Sequence, residues 1–143
     1  MHNRVVTEYP DLDCVFLNSG IQSQIRLSRP EETDLAAFHK EVDINFTALV
    51  NMSVKFLSHL LKKDYPTSLV FTGSGLGVVP AVTLPAYCVS KAALLAFYDC
   101  LRLQNQNTNV KFVHIYPPIV QSMFPPLRFL LKTQPYFTKY ERY

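Results

Sequence analysis

Glycine is scarce in this sequence, with four glycines in 143 residues and none before Gly20. A dinucleotide-binding turn needs glycines where its backbone approaches the pyrophosphate. The one stretch that begins like GxGxxG starts at Gly73, but Val78 stands where the last glycine is required. We therefore expect these residues to build no glycine-rich phosphate turn.

Cysteine and histidine are also few. The three cysteines contain no CxxC pair, and their odd number argues against a disulfide framework. The histidines show no metal-ligand spacing, either among themselves or with the cysteines. The sequence therefore predicts no metal site from Cys14, Cys88, Cys100, His2, His39, His59 and His114.

Long apolar runs are missing as well. No run approaches the ~18 residues that a membrane-spanning helix requires, and the N-terminal residues lack the apolar core of a signal peptide. Hydrophobic residues make up 48% of the chain and charged residues 17%, which argues against intrinsic disorder. We expect one domain without a membrane span and a cytoplasmic location.

The net charge of +3 lies entirely near the C-terminus, because residues 1–122 carry ten basic and ten acidic side chains. A nucleic-acid-binding surface usually has a denser basic stripe, so we predict no nucleic-acid partner. We divide the chain into a domain at residues 1–122 and an apolar-basic segment of the same domain at residues 123–143.

Three short runs rich in β-branched and aromatic residues, near 13–17, 68–72 and 110–116, predict buried strands because each ends at turn-forming residues. Two long helical stretches separate them. The first starts among Glu31, Glu32 and Asp34, and the second runs from Ala86 to about Gln104. This alternation predicts an α/β fold with a parallel sheet and flanking helices.

Polar residues that could take part in catalysis follow the second strand. Ser74 lies in the loop, Tyr87 comes thirteen residues later, and Lys91 four residues beyond Tyr87, on the same helical face. A neighbouring ammonium is expected to lower the tyrosine pKa from about 10, as acid–base catalysis near neutral pH requires. Ser74 does not lie in a nucleophile-elbow motif, because Thr72 and Leu76 occupy the positions of the two glycines of GxSxG.

These residues resemble the classical short-chain dehydrogenase/reductase family over about residues 13–122. The run Tyr87-Cys88-Val89-Ser90-Lys91 is similar to the family's YxxSK, and Ser74 stands at the family's serine-to-tyrosine distance. Three further stretches resemble family motifs in the same order: Leu17-Asn18-Ser19-Gly20, Asp43-Ile44-Asn45-Phe46 and Pro117-Pro118-Ile119-Val120-Gln121-Ser122. The resemblance implies a partial Rossmann-type sheet.

The resemblance also implies roles. Tyr87 would be the acid/base, Lys91 would hold the nicotinamide ribose, Ser74 would orient the substrate oxygen, and Asn45 would support Lys91 through a water-linked relay. NAD or NADP would supply the hydride to a small-molecule alcohol or carbonyl. The cofactor-binding residues implied are Asn18, Ser19, Gly20, Tyr87, Lys91, Pro117, Ile119 and Ser122. Residues 123–143 would correspond to the family's substrate-covering region.

The family's N-terminal strands, TGxxxGxG turn and NAD-versus-NADP selector have no counterpart before Asn18. Without those strands the first strand here becomes a sheet edge, which is expected to expose Val15 and Phe16. Two interpretations stay open. One is an NAD(P)-dependent oxidoreductase; the other is a truncated, inactive family fragment that acts as an oligomerisation or interaction protein through the helices containing Asn45 and Tyr87.

Overall fold

The structure, a computed structural model, describes residues 2–117, with side chains from residue 3 onward. Several sequence predictions lie outside these residues. They are the cofactor contacts of Ile119 and Ser122, the substitution of Pro118 for the family's glycine, and the C-terminal segment 123–143.

Among the described residues, a three-stranded parallel sheet forms the centre of the fold, in the order β1-β2-β3. The strands are β1 (Cys14–Leu17), β2 (Thr67–Thr72) and β3 (Val110–Ile115). Val15 pairs with Leu69, and Leu69 with Phe112, so the three strands are in continuous register. The predicted α/β fold is confirmed, and the strand ends differ from the predicted ones by a single residue.

Residues 2–117 contain four α-helices beside the sheet: α1 (His2–Glu8), α2 (Leu35–Val42), α3 (Ala48–Leu60) and α4 (Pro85–Gln104). Asp34 caps α2, because its carboxylate accepts a hydrogen bond of 2.9 Å from the backbone N–H of Ala37. A π-helical turn, Asp43–Thr47, joins α2 directly to α3. The two predicted helical stretches are therefore confirmed, and α1 is an element that the sequence did not predict.

The core lies on one face of the sheet, between the strands and helices α3 and α4. Alternate strand residues point into it, as the two-residue period of a strand dictates. Its buried members are Val15, Leu17, Leu49, Phe56, Leu57, Leu60, Leu69, Phe71, Leu94, Leu101 and Val110.

The expectation that both Val15 and Phe16 become exposed at the sheet edge is wrong for Val15. Val15 is 8% exposed because it points into the core, whereas Phe16, its neighbour on the opposite face, is 64% exposed. The pleat of the strand thus buries one of the two side chains even at an edge.

Candidate active site

The three strands end at the same edge of the sheet, and this edge collects the residues that the sequence singled out. Asn18 follows β1, Ser74 lies two residues after β2, and Pro117 lies two residues after β3. Helix α4 begins beyond the loop after β2 and carries Tyr87 and Lys91 in its first turns. Parallel sheets place ligand sites at this edge.

Lys91 is an almost fully buried amine, with 4% of its surface exposed. Its Nζ donates a hydrogen bond of 2.8 Å to the backbone carbonyl oxygen of Thr72, the last residue of β2. The same nitrogen lies 5.6 Å from the centroid of the Tyr87 ring. Burial lowers the pKa of Lys91, because the ammonium loses its hydration.

Tyr87 is half-buried, and burial raises its pKa above the ordinary value. A side-chain hydrogen bond from Ser74 acts in the opposite direction, and negative charge on Cys88 or Glu41 raises the pKa further. The prediction that Lys91 lowers this pKa is wrong for this structure. Desolvation of the phenol outweighs the other effects, and the Lys91 ammonium is directed to the Thr72 carbonyl.

Ser74 caps the short 3-10 turn Gly75–Gly77, where its Oγ accepts a hydrogen bond of 3.2 Å from the backbone N–H of Leu76. The hydroxyl keeps its proton as a donor in this arrangement. The Ser74 side chain also hydrogen-bonds to Tyr87, so the structure brings the predicted serine and tyrosine together.

Asn45 is fully buried in the π-helical turn and forms hydrogen bonds with the segment that follows β1. Its Oδ1 accepts a hydrogen bond of 2.7 Å from the backbone N–H of Ile21, and its Nδ2 donates one of 2.8 Å to the carbonyl oxygen of Ile21. Nδ2 also lies 3.3 Å from the Ser90 hydroxyl. A π-helical turn is often found at functional sites, and here it presents Asn45 to both Ile21 and α4.

Gly20, in the segment after β1, lies close to both Asn45 and Lys91. A Cβ at Gly20 would lie 3.5 Å from Asn45 Oδ1 and 3.9 Å from Lys91 Nζ. The other predicted cofactor contacts among the described residues, Asn18, Ser19 and Pro117, are exposed at the same edge.

Three contributors to the site were missed by sequence reasoning. They are the Thr72 carbonyl, which holds Lys91; Ser90, which contacts Asn45 and donates to the Tyr87 carbonyl at 2.8 Å; and the fully buried Glu41. Backbone carbonyls leave no trace in a sequence. Glu41 does leave a signal, because it stands four residues before Asn45 and so shares its helical face.

Within the described part of the chain, no group of three or more histidine, cysteine or acidic side chains is placed to hold a metal ion. No helix among these residues is both long enough and apolar enough to cross a membrane.

The residues present fit the nicotinamide-ribose part of a dinucleotide. A protonated amine carries three N–H donors, and among residues 3–117 the Lys91 ammonium uses one of them, on Thr72. Gly20 leaves the approach to that ammonium free of a side chain. No glycine precedes Gly20, so the described residues supply no glycine-rich turn for the phosphates.

Comparison with known proteins gives consistent results. Residues 1–126 match the short chain dehydrogenase family. An uncharacterized oxidoreductase of Bacillus subtilis, DltE, is 34% identical over 122 residues, which is 85% of this chain and 48% of the relative.

Solved structures agree. A short chain dehydrogenase from Salmonella enterica serovar Typhi is 29% identical, with a TM-score of 0.76 over 85% of this chain and 49% of that one. An NAD⁺-bound xylitol dehydrogenase shares the fold at 22% identity, with a TM-score of 0.74 over 84% of this chain and 45% of that one. The chain thus spans about half the length of each of these three relatives. With the family match covering most of its sequence, the chain belongs to the short chain dehydrogenase family.

Proposed function

We propose that this chain carries the proton-transfer part of an NAD(P)-dependent oxidoreductase that interconverts an alcohol and a carbonyl. The observation that carries the proposal is the position of Lys91 Nζ, buried 5.6 Å from the Tyr87 ring centroid at the strand edge where Ser74 contacts Tyr87. Family membership supports the reaction class.

In the direction of carbonyl reduction, the Ser74 hydroxyl and the Tyr87 phenol donate hydrogen bonds to the substrate oxygen. Lys91 would hold a reduced nicotinamide cofactor, which would supply the hydride for the carbonyl carbon. The proton of Tyr87 Oη then moves to the oxygen as negative charge develops there. A tyrosine whose pKa is raised is neutral at physiological pH, so in this structure Tyr87 is prepared to donate a proton rather than to accept one.

The remaining residues have supporting roles in this proposal. Lys91 binds the nicotinamide ribose with the N–H donors that Thr72 leaves, and Gly20 lets that ribose approach. Asn45 keeps the post-β1 segment in place through Ile21, while its water-linked relay to Lys91 stays a prediction. The substrate-covering role of residues 123–143 and the cytoplasmic location also stay predictions.

Calorimetric titration of the 143-residue chain with NADH and with NADPH tests the cofactor part. Each missing charge-assisted phosphate hydrogen bond removes about 1.5–3 kcal/mol, so we expect a Kd no tighter than millimolar. Lys91→Met weakens binding further, whereas the exposed Lys62→Met leaves it unchanged. A micromolar Kd, or equal binding by Lys91→Met, contradicts this account.

Self-association is a second candidate function, because apolar side chains are exposed on two helices. Val54 on α3 is 55% exposed, and Val89 and Leu103 on α4 are 51% and 56% exposed. Their exposure supports a homo-oligomer formed through the helices that carry Asn45 and Tyr87. Sedimentation velocity of the chain over a concentration series tests this candidate.

A further inference from the structure

His114, in β3, packs its ring against the residue that precedes Ser74. The ring lies between two tyrosine rings, with centroid distances of 4.8 Å to Tyr98 and 4.6 Å to Tyr116. A Cβ built on Gly73 would lie 2.3 Å from Nε2 of His114, so the glycine backbone is closely packed against this nitrogen. The imidazole therefore forms one side of the space that Gly73 occupies.

The backbone of β3 holds Gly73 from a second side. The Gly73 N–H donates a hydrogen bond of 2.8 Å to the carbonyl oxygen of Ile115, which continues the pairing of β2 with β3 beyond the last residue of β2. Ser74 follows with extended backbone, and its Oγ accepts a hydrogen bond of 3.2 Å from the N–H of Leu76. The direction of the backbone at Gly73 thus determines where the Ser74 hydroxyl lies.

The two nitrogens of the His114 ring have different surroundings. Nδ1 lies 3.1 Å from Tyr116 Oη, whereas Nε2 is buried and has no hydrogen-bond partner among residues 3–117. A buried N–H without an acceptor is costly. The geometry therefore favours the neutral tautomer in which Nδ1–H donates to Tyr116 and Nε2 carries no proton. Protonation would add an N–H and a positive charge at Nε2, packed against Gly73 and away from water.

Helix α4 offers little compensation for such a charge. Burial lowers the pKa of His114, Asp99 has the opposite effect, and the positive charge of Lys91 lowers the pKa further. Asp99 is exposed, and its carboxylate lies 3.9 Å from the guanidinium of Arg102. Its attraction for a charge on His114 is therefore screened by water and shared with Arg102.

The sheet and the loop after β2 offer no countercharge. Strand β2 and residues 73–84 contain no titratable side chain. Cys14 in β1 and Lys111 in β3 pair with the same residue of β2, and the alternation along the strands places both on the sheet face opposite His114. Within residues 3–117, the imidazole of His114 is thus accommodated as a neutral ring.

We propose that His114 is a positioning residue for Ser74 in its neutral form only: the unprotonated ring keeps Gly73 in place, and acidification drives the protonated ring out of the stack and frees the turn that Ser74 caps. This inference rests on the proposed function, because that function gives Ser74 its role towards the substrate oxygen. It adds a dependence on pH that the proposed function does not contain.

The direction of the pH effect follows from proton linkage. A released imidazole has an ordinary pKa of about 6.5, whereas the packed ring takes up a proton only at lower pH. The packed arrangement is therefore fully present above about pH 6.5 and is lost as the pH falls below that value. Because one proton is involved, the ratio of released to packed molecules rises by at most about tenfold for each pH unit.

Amide hydrogen exchange of the full chain, followed by nuclear magnetic resonance and corrected for the intrinsic exchange rate, tests this inference. The N–H groups of Gly73 and Leu76 report on the turn, and that of Leu57 inside α3 reports on global unfolding. Protection of Gly73 and Leu76 should fall below about pH 6.5, while protection of Leu57 does not. Constant protection of Gly73 and Leu76, or an equal loss at Leu57, overturns the inference.

Two variants separate the proton from the ring. His114→Phe keeps an aromatic ring in the stack but cannot be protonated, so protection of Gly73 and Leu76 should no longer depend on pH. The exposed His39→Phe is the matched control and keeps the pH dependence. If the ring serves only to fill space, the pH dependence is the same in His114→Phe as in the unsubstituted chain, and this result contradicts the proposal.

Nitrogen-15 resonances of the His114 ring provide a second measurement, which needs no variant. Above about pH 7 the inference predicts the proton on Nδ1, and a proton on Nε2 overturns it. Neither experiment involves turnover or cofactor. Failure of the proposed function therefore appears in the cofactor titrations, and failure of this inference appears in the amide exchange or in the position of the ring proton.

Discussion

At the scale of single residues, the identities at the site were readable from the sequence, but their electrostatics were not. The spacing of Ser74, Tyr87 and Lys91 predicted that they share one edge of the sheet, and the structure brings them together. The expectation of a lowered Tyr87 pKa was wrong because it considered the charge of Lys91 but not the desolvation of the phenol, which depends on packing. Glu41 carries the signal of its spacing to Asn45, but its complete burial is set by segments distant in sequence and could not be predicted.

Gly73 shows how tightly the chain packs where β2 leaves the sheet. A Cβ there would overlap the imidazole of His114, which is packed between the rings of Tyr98 and Tyr116. Gly73→Ala is therefore expected to lower the free energy of unfolding by about 1–3 kcal/mol, as overpacking does. Urea unfolding monitored by circular dichroism measures this loss.

Two further variants test the cause of that loss. Gly75→Ala is the matched control, because a Cβ at Gly75 meets nothing within 4 Å. In a His114→Ala background, the cost of Gly73→Ala should shrink because the overlapping ring is gone. If the cost is the same with and without the His114 ring, a contact between the two residues is not its source.

At the scale of helices and strands, hydrophobic patterning predicted most of the fold. The three apolar runs gave the strands, and three- and four-residue spacing gave the long helical stretches. Two features of the fold were not predicted from the sequence. Helix α1 has seven residues and no strong start or stop signal, and the π-helical turn at Asn45 changes the local helical pitch without changing the apolar pattern.

The exposed apolar residues on α3 and α4 belong to the same scale. If these helices form a contact between copies of the chain, Val89→Lys places a charge in that contact and lowers the dimer fraction in sedimentation velocity. Val82→Lys is the control, because Val82 is 65% exposed on the loop before α4 rather than on a helix. An unchanged dimer fraction in Val89→Lys would show that Val89 on α4 is not part of the contact. A chain that is monomeric at every concentration would contradict self-association altogether.

At the scale of the whole molecule, the proposed function gives this chain one side of a dinucleotide site. The groups that the proposal assigns to the nicotinamide ribose and the substrate oxygen lie at the strand edge, in Gly20, Ser74, Tyr87 and Lys91. The chain covers about half the length of the Bacillus subtilis and Salmonella enterica relatives, and its sequence before Gly20 has no glycine with which to form a phosphate turn. The fold was predictable because the hydrophobic pattern of each βαβ unit is local in the sequence. Cofactor binding is less predictable because it depends on groups from every part of the site.

The central claim is that these residues recognise the nicotinamide side of the cofactor. Titrating the isotope-labelled chain separately with reduced nicotinamide mononucleotide and with ADP-ribose, followed by nuclear magnetic resonance of the backbone amides, tests it most directly. The account predicts millimolar binding of the mononucleotide, with shifts around Gly20 and Tyr87–Lys91 that disappear in Lys91→Met, and no response to ADP-ribose. Binding of ADP-ribose without binding of the mononucleotide would contradict it.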